Sequence, residues 1–215
     1  MSRTDWSWKH NTDSKWLIPD PQAYYLAQRW MHLDYLTVLD HGCGLGRHSV
    51  FFSKEGFVVT AFDQSATGLE HTAKWAARDG AALRTVSGDM KSIPLPDSSF
   101  DAVMCYNVIY HAGLEDVKQA AKEISRVMKP GGELFITMCS KSSPNYLNAN
   151  TVLDDGCTVP AQNTEANSTS HCYLNYEEMV SLFEDFEFAA EPVDQLEYEN
   201  GKLKNAHWVL LLRKK

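Results

Sequence analysis

Three acidic residues stand where three short apolar runs end in the first half of the chain. Asp40, Asp63 and Asp89 each come at or just after the end of such a run. If the runs are parallel strands, the three carboxylates meet at the carboxyl edge of one sheet, where open α/β sheets bind ligands. Singly, each acid could compensate charge at a helix N-terminus or belong to a turn. Together they predict a shared ligand.

A glycine-rich turn follows the first of these carboxylates. Gly42, Gly44 and Gly46 alternate through the sequence VLDHGCGLGR, between a predicted strand and a predicted helix. Glycines at such a turn let the backbone approach a ligand closely, although a tight turn without a ligand is the alternative. A dinucleotide fingerprint needs glycine at its sixth position, where this chain has Arg47. That difference argues against a nicotinamide cofactor.

Alternating strands and helices must position these residues. The predicted strands cover residues 36–39, 57–62, 82–87, 100–106 and 133–139, and predicted helices cover residues 47–54, 65–79 and 114–128 and begin again at 175–178. Such alternation is typical of a parallel sheet with covering helices. Asn200-Gly201 predicts a hairpin between extended runs at 186–199 and 203–213. The predicted fold is therefore α/β and Rossmann-like, a doubly wound and mostly parallel seven-stranded sheet with an antiparallel C-terminal hairpin strand.

One further pattern suggests a dehydrogenase. Tyr198 and Lys202 form a Tyr-x-x-x-Lys pair, which occurs in one family of nicotinamide enzymes. The pair straddles the predicted hairpin turn, so its side chains would not share a helix face. We interpret it as chance.

Four segments, in order, resemble the class I S-adenosylmethionine-dependent methyltransferases of the branch called methyltransferase type 11. They are VLDHGCGLGRHS, VTAFDQS, SGDMKSIPLPDSSFDAV and RVMKPGGELFIT, which lie within about residues 36–137. The ending AHWVLLLRK is similar to the family's reversed last strand. The resemblance implies S-adenosyl-L-methionine as cofactor, S-adenosyl-L-homocysteine as product, and transfer of a methyl group to a small-molecule acceptor.

The resemblance also implies which residues hold the cofactor. Asp40, with the backbone of Gly42 and Gly44, would hold the methionine part. Asp63 would accept both ribose hydroxyls, because a carboxylate offers two acceptor oxygens to a vicinal diol. Asp89 would accept from the adenine amino group. The other implied cofactor residues are Cys43 and Gly46 in the glycine loop, Gln64 and Met90 beside the adenine, and Cys105, Tyr106 and Asn107 beneath the sulfonium.

Two histidines are candidate general bases at the acceptor side. His111 follows the fourth predicted strand, and His171 ends a polar stretch, positions where the family often has histidine. A base is needed only if the acceptor is protonated when it binds, so a bond to a loop carbonyl is the alternative role. Trp16, Tyr110 and Tyr173 are predicted to bind substrate, because aromatic faces shield a sulfonium and attract its charge. Ordinary core packing is their alternative.

Composition limits the partners. A formal charge of −8 and a pI near 5.4 disfavour nucleic acid, which needs clustered Lys and Arg. The five cysteines are widely spaced and lack a C-x-x-C pair, so neither a disulfide framework nor a metal site is predicted. No apolar run is long enough to span a membrane, and the N-terminus is unlike a signal peptide, so we expect a cytoplasmic protein.

We expect one methyltransferase domain at residues 31–215, preceded by an N-terminal flap and helix at 1–30 that cover the active site. The polar stretch 140–173 is predicted to be a substrate-side loop or insertion. The acceptor is expected between these two segments, with Trp6 and Trp8 in a lid. Two alternative functions stay open: methylation of a protein or peptide, and a non-catalytic regulator that binds S-adenosylmethionine.

Overall fold

Five parallel strands form the first part of the sheet. In the computed structural model, which describes residues 14–161 and 169–215, they are β1 (Thr37–His41), β2 (Val58–Asp63), β3 (Leu83–Ser87), β4 (Phe100–Cys105) and β5 (Met128–Ser140). Their spatial order is β3-β2-β1-β4-β5, and all neighbours are parallel. From β1 to β3 each new strand is added on one side of β1, and β4 and β5 are added on the other side. The carboxyl end of β1 therefore lies at the switch point where open α/β sheets bind ligands.

The second part of the sheet is mostly antiparallel. Its strands are β6 (Thr158–Val159), β7 (His171–Leu174), β8 (Phe186–Phe188), β9 (Val193–Glu199) and β10 (Lys202–Lys214). β10 pairs antiparallel with β5, β8 and β9, while β7 runs parallel to β5 and pairs with β6. The described sheet has ten strands, seven of which lie on the path β3-β2-β1-β4-β5-β10-β8. It confirms the predicted mostly parallel α/β sheet, and β9 with β10 forms the predicted C-terminal hairpin.

Two predicted strand boundaries are wrong. The extended run expected at 186–199 is two strands, β8 and β9, separated by a link that contains Pro192. Proline has no N–H for a ladder bond, so it favours a break there. β5 begins at Met128, directly after the preceding helix, instead of after the Lys-Pro-Gly-Gly sequence at 129–132.

The helices begin and end largely where capping residues predict. They are α1 (Pro21–His32), α2 (Arg47–Lys54), α3 (Ala66–Asp79), α4 (Leu114–Val127), α5 (Pro144–Leu147) and α6 (Tyr176–Leu182). The Ser65 side chain accepts from the backbone N–H of Gly68 and caps α3. Asn175 and Glu178 form a capping box at the start of α6. Within residues 14–161 and 169–215, no helix is long and apolar enough to cross a membrane.

Helices cover both faces of the sheet. Leu26 and Trp30 of α1 pack with Phe52 of α2 in one buried cluster. Val117 and Ile124 of α4 belong to the cluster on the opposite face. α1 therefore packs on a face of the sheet as part of the core. The tryptophans predicted in a lid, at positions 6 and 8, lie outside the described residues.

A buried ionic network fixes α1 to the strands beneath it. Glu133 on β5 has a fully buried side chain and accepts from Arg29 of α1 at 2.7 and 2.8 Å. Arg213 on β10 donates to the same carboxylate at 2.9 Å. The two guanidinium groups lower the pKa of Glu133 against the effect of burial, which raises it. This network holds the helix that leads into the glycine-loop region.

Candidate active site

A cavity of about 580 Å³ opens at the carboxyl edge of the parallel strands. Its walls include the glycine loop after β1, the end of β2 and the loops after β3 and β4. Trp16 reaches it from the N-terminal segment, and Ala161, Thr169 and Ser170 reach it from the polar stretch. The volume lies within the range of roughly 300–1,000 Å³ that small-ligand sites occupy. Both predicted substrate-side segments therefore contribute residues to the wall of one cavity.

The glycine loop needs glycine for two reasons of its own structure. Gly42 and Gly46 have φ angles of 74° and 93°, in the left-handed region that favours glycine. A Cβ atom on Gly42 would lie 2.4 Å from the Val108 side chain, and one on Gly46 would lie 2.6 Å from Thr72 Oγ1. Side chains of the protein itself thus crowd the loop, in addition to any ligand that the sequence pattern predicts there.

Asp63 connects the glycine loop to α3. Its Oδ2 accepts from the backbone N–H of Gly44 at 2.8 Å, and its Oδ1 accepts from the backbone N–H of Ser65 at 2.8 Å. A carboxylate accepts up to about four hydrogen bonds, so this geometry is compatible with ribose hydroxyls as further donors. Asp63 and the neighbouring Gln64 both line the cavity.

Asp40 is a buried carboxyl group behind the glycine loop. It is 1% exposed, and Ser49 Oγ donates to its Oδ2. Burial raises the pKa of Asp40 to about 6, although Ser49 and the charge of Arg47 act to lower it. Among the described residues, Asp40 has no ion-pair partner. A buried carboxylate in this position favours a cationic ligand group close to the loop.

Most of the predicted cofactor residues come together around the cavity. Those that line it are Gly42, Cys43, Gly44, Asp63, Gln64, Met90, Tyr106 and Asn107. The other four do not line it: Asp40 and Cys105 are buried, Gly46 lies against Thr72, and Asp89 is exposed and accepts from the backbone N–H of Lys91 at 2.9 Å. A direct contact with the ligand is therefore better supported for the first group.

The two candidate bases are hydrogen-bonded to each other. His111 Nδ1 lies 3.0 Å from His171 Nε2, and His171 Nδ1 lies 2.9 Å from the carbonyl oxygen of Thr169. Burial lowers the pKa of His111 to about 3, with further lowering by His171 and His207 and an opposing effect of the Asn107 carbonyl. Burial also lowers the pKa of His171. His111 lines the cavity and His171 does not, so the pair reaches the cavity through His111.

Aromatic side chains surround this end of the cavity. Trp16, Tyr106 and Tyr110 line it, as the sequence predicts for the first and third of them. The ring centroid of Tyr110 lies 4.5 Å from that of His111. Tyr173 is buried in the core and does not line the cavity, because it lies on β7 beside β5. Its predicted contact with substrate lacks support from this geometry.

Two residues of α2 at the cavity, Arg47 and His48, were not predicted from the sequence as site residues. Arg47 lies between two aromatic rings, 5.4 Å from the Trp16 centroid and 5.3 Å from the Tyr106 centroid. His48 is buried, and its Nε2 accepts from the backbone N–H of Asp20 at 3.1 Å. Their position directly after the glycine loop was the available signal. This position in the sequence does not predict how distant segments pack against the two side chains.

The chemistry of these groups fits the cofactor that the resemblance implies. Asp63 supplies acceptor oxygens for a diol, and Asp40 supplies negative charge for an ammonium group or a sulfonium. The cavity is large enough for a cofactor with an acceptor beside it. Among residues 14–161 and 169–215, no cluster of three His, Cys, Asp or Glu side chains could hold a metal ion.

Comparison with known proteins finds similarity to methyltransferases. The family model described as a methyltransferase domain matches residues 39–136. The sterol 24-C-methyltransferase of Aspergillus fumigatus is 36% identical over 114 residues, which are 51% of this chain and 29% of that protein. The malonyl-[acyl-carrier protein] O-methyltransferase of Pectobacterium atrosepticum is 36% identical over 108 residues, 50% of this chain and 40% of that protein. The chain thus spans less than half the length of these curated relatives.

A solved structure matches nearly the whole fold. The crystal structure of a SAM-dependent methyltransferase from Methanosarcina mazei superposes with a TM-score of 0.73 at 20% identity, over 92% of this chain and 99% of that one. At this identity the similarity shows the fold. The family match at residues 39–136 covers the glycine loop and the ends of β2, β3 and β4, which form most of the cavity wall. Residues 39–136 therefore match the methyltransferase-domain family, and the fold of the chain matches that of a solved SAM-dependent methyltransferase.

Proposed function

We propose that this protein transfers the methyl group of S-adenosylmethionine to a small-molecule acceptor by direct in-line displacement. One observation carries the proposal: eight of the twelve predicted cofactor residues line the same cavity as His111. The acceptor would lie at the end formed by Trp16, Tyr110, His111, Thr169 and Ser170, which we call the acceptor half. The loops after β1, β2 and β3 form the cofactor half.

Bound S-adenosylmethionine supplies a methyl group activated by a sulfonium. The protein has to hold the acceptor in line with that methyl group and exclude water. Alignment of this kind is worth about 7–11 kcal/mol in favourable intramolecular reactions. Trp16 and Tyr106, on either side of Arg47, place aromatic faces beside the cavity, where they exclude water and attract positive charge.

The histidine pair offers a path for the acceptor's proton. The Thr169 carbonyl can only accept, so Nδ1–H of His171 donates to it. A neutral His171 then accepts at Nε2 from Nδ1–H of His111. In this tautomer the basic nitrogen of His111 is Nε2, which would take the proton from the acceptor. His171 would act as a positioning residue that orients the His111 ring.

Several observations favour a small acceptor. The acceptor half is part of a cavity of about 580 Å³, and the formal charge of −8 gives little attraction to anionic macromolecules. The relative named for sterol methylation is consistent with a small-molecule acceptor. The relative named for malonyl-[acyl-carrier protein] keeps a protein-bound acceptor as the alternative. A non-catalytic regulator is the other alternative.

A methyl-transfer screen with labelled S-adenosylmethionine tests the proposal. Wild-type protein and His111→Gln would be incubated with phenols, amines, thiols, carboxylic acids and a peptide mixture, and S-adenosylhomocysteine would be measured. We expect turnover with a small-molecule class by the wild type and much less by the variant. Turnover with peptides alone would support the protein-acceptor alternative. Tight cofactor binding without turnover of any acceptor would support the regulator.

A further inference from the structure

Arg47 is a cation at the cavity wall that the proposed mechanism does not use. It is the first residue of α2, directly after the glycine loop, and its guanidinium lies between the rings of Trp16 and Tyr106. Nη1 donates to the backbone carbonyls of Lys15 at 3.0 Å and Ile18 at 3.4 Å. The group is thus fixed by two rings and two carbonyls, in contact with both the N-terminal segment and the loop after β4.

The guanidinium retains hydrogen-bonding capacity. Arginine has five N–H donors, and the two carbonyl bonds use Nη1 only. Three donors, on Nε and Nη2, have no hydrogen-bond acceptor among the described residues. Within the same part of the chain, no carboxylate forms an ion pair with Arg47, whereas Asp116, another charged residue at the wall, pairs with Lys91 at 3.1 Å.

A guanidinium without an ion-pair partner is unfavourable beside a cationic sulfonium. Removing charges from water is costly unless a group of opposite sign pairs with them. The planar donors of arginine match a carboxylate, which they bind through two parallel hydrogen bonds. We propose that Arg47 is the carboxylate-binding residue of this cavity. The inference rests on the proposed function, because the cavity must hold S-adenosylmethionine, and the carboxylate belongs either to its methionine part or to the acceptor.

Calorimetry with two ligands tests whether the carboxylate belongs to the methionine part of the cofactor. S-adenosylhomocysteine carries the amino-acid carboxylate, and 5′-methylthioadenosine has the same nucleoside and thioether without it. For Arg47→Gln we expect an affinity for S-adenosylhomocysteine about 10- to 100-fold lower, the usual range for a charged hydrogen bond. The affinity for 5′-methylthioadenosine should stay unchanged. Arg47→Lys keeps the charge and should recover part of the loss, which separates charge from packing against Trp16.

Whether the carboxylate belongs to the acceptor is tested on protein saturated with S-adenosylhomocysteine. Benzoate and benzamide, which differ in charge but little in shape, would be titrated into wild type and Arg47→Gln. A loss confined to benzoate, with S-adenosylhomocysteine affinity unchanged, assigns Arg47 to the acceptor's carboxylate. If the substitution changes neither affinity, the proposal is overturned. If wild-type protein binds neither nucleoside, the cofactor site itself is wrong, which is a different result.

Discussion

The two halves of the cavity are held in different ways. In the cofactor half, a carboxylate is hydrogen-bonded to the backbone: Asp63 accepts from the N–H groups of Gly44 and Ser65, at 2.8 Å each. In the acceptor half, side chains from distant segments hold one another, as in the 3.0 Å contact of His111 with His171. Consecutive strand ends build the first half, and loops far apart in the chain build the second.

This difference separates two kinds of specificity. A site made from backbone and strand ends can bind one common cofactor in many proteins of the same fold, because side chains contribute little to its shape. A site made from loop side chains can change its acceptor while the fold stays intact. We therefore expect substitutions in the cofactor half to change cofactor affinity and substitutions in the acceptor half to change turnover.

The largest effect is expected at His111. His111→Gln removes the proposed proton acceptor and should lower kcat by about 10²- to 10³-fold, the lower part of the usual contribution of general acid–base catalysis, because burial makes His111 a weak base. The affinity for S-adenosylhomocysteine, measured by calorimetry, should not change. Because burial holds the pKa of His111 at about 3, its charge should not change between about pH 5 and 8, and the wild-type kcat should show no acid limb from this residue.

His171→Gln is the matched control for that substitution. It should lower kcat less than His111→Gln does, since His171 acts by orienting the other ring. It should also move the pH profile, because the neighbour that lowers the pKa of His111 is lost. Equal losses of cofactor affinity in both variants would show that the two halves are not separable.

Asp63→Ala should give the largest effect in the cofactor half. It removes the acceptor of two backbone N–H groups and the proposed partner of the ribose, so binding of S-adenosylhomocysteine should weaken by about 3 kcal/mol. Asp89→Ala is the matched control, because Asp89 is exposed and does not line the cavity. A loss at Asp89 as large as that at Asp63 would contradict the placement of the cofactor half.

Asp40→Asn tests whether the buried carboxylate of Asp40 lowers the stability of the protein. Burial raises the pKa of Asp40 from 3.8 to about 6, so the folded protein binds this proton more tightly than the unfolded chain. That contribution to stability is fully present below the unfolded pKa and is lost as pH rises through about 6. Asp40→Asn should therefore raise the free energy of unfolding at pH 7.5, by up to about 3 kcal/mol. It should also weaken cofactor binding.

Urea denaturation of both proteins at pH 7.5 and pH 5 measures this effect. The difference in unfolding free energy should shrink at pH 5, where Asp40 is largely protonated in the folded protein. The neutral amide can still accept from Ser49, so the hydrogen bond is retained. A variant less stable than wild type at both pH values would show that the carboxylate stabilises the fold.

The cofactor half could be predicted from sequence because its geometry is local to strand ends. The acids at the carboxyl ends of β1 and β2 and the glycine turn between them are close in sequence, and their register follows from the parallel sheet. For the acceptor half, the sequence predicted individual residues but not the contacts between them. Nothing in the spacing of His111 and His171 predicts their contact, which depends on β7 pairing beside β5. The role of Arg47 was missed for the same reason, since its ring partners lie in two other segments.

The smallest effect is expected at Trp16, one of the predicted substrate-binding residues. Trp16→Ala removes one of the two rings beside Arg47, and an exposed cation–π contact is worth about 0.5–1 kcal/mol. Trp16 is outside the buried core, so the melting temperature should hardly change. The acceptor's KM should rise a few-fold, while affinity for S-adenosylhomocysteine stays nearly constant. Trp16→Phe, which keeps an aromatic face, should recover most of the loss. Equal weakening of cofactor and acceptor would instead place Trp16 in the cofactor half.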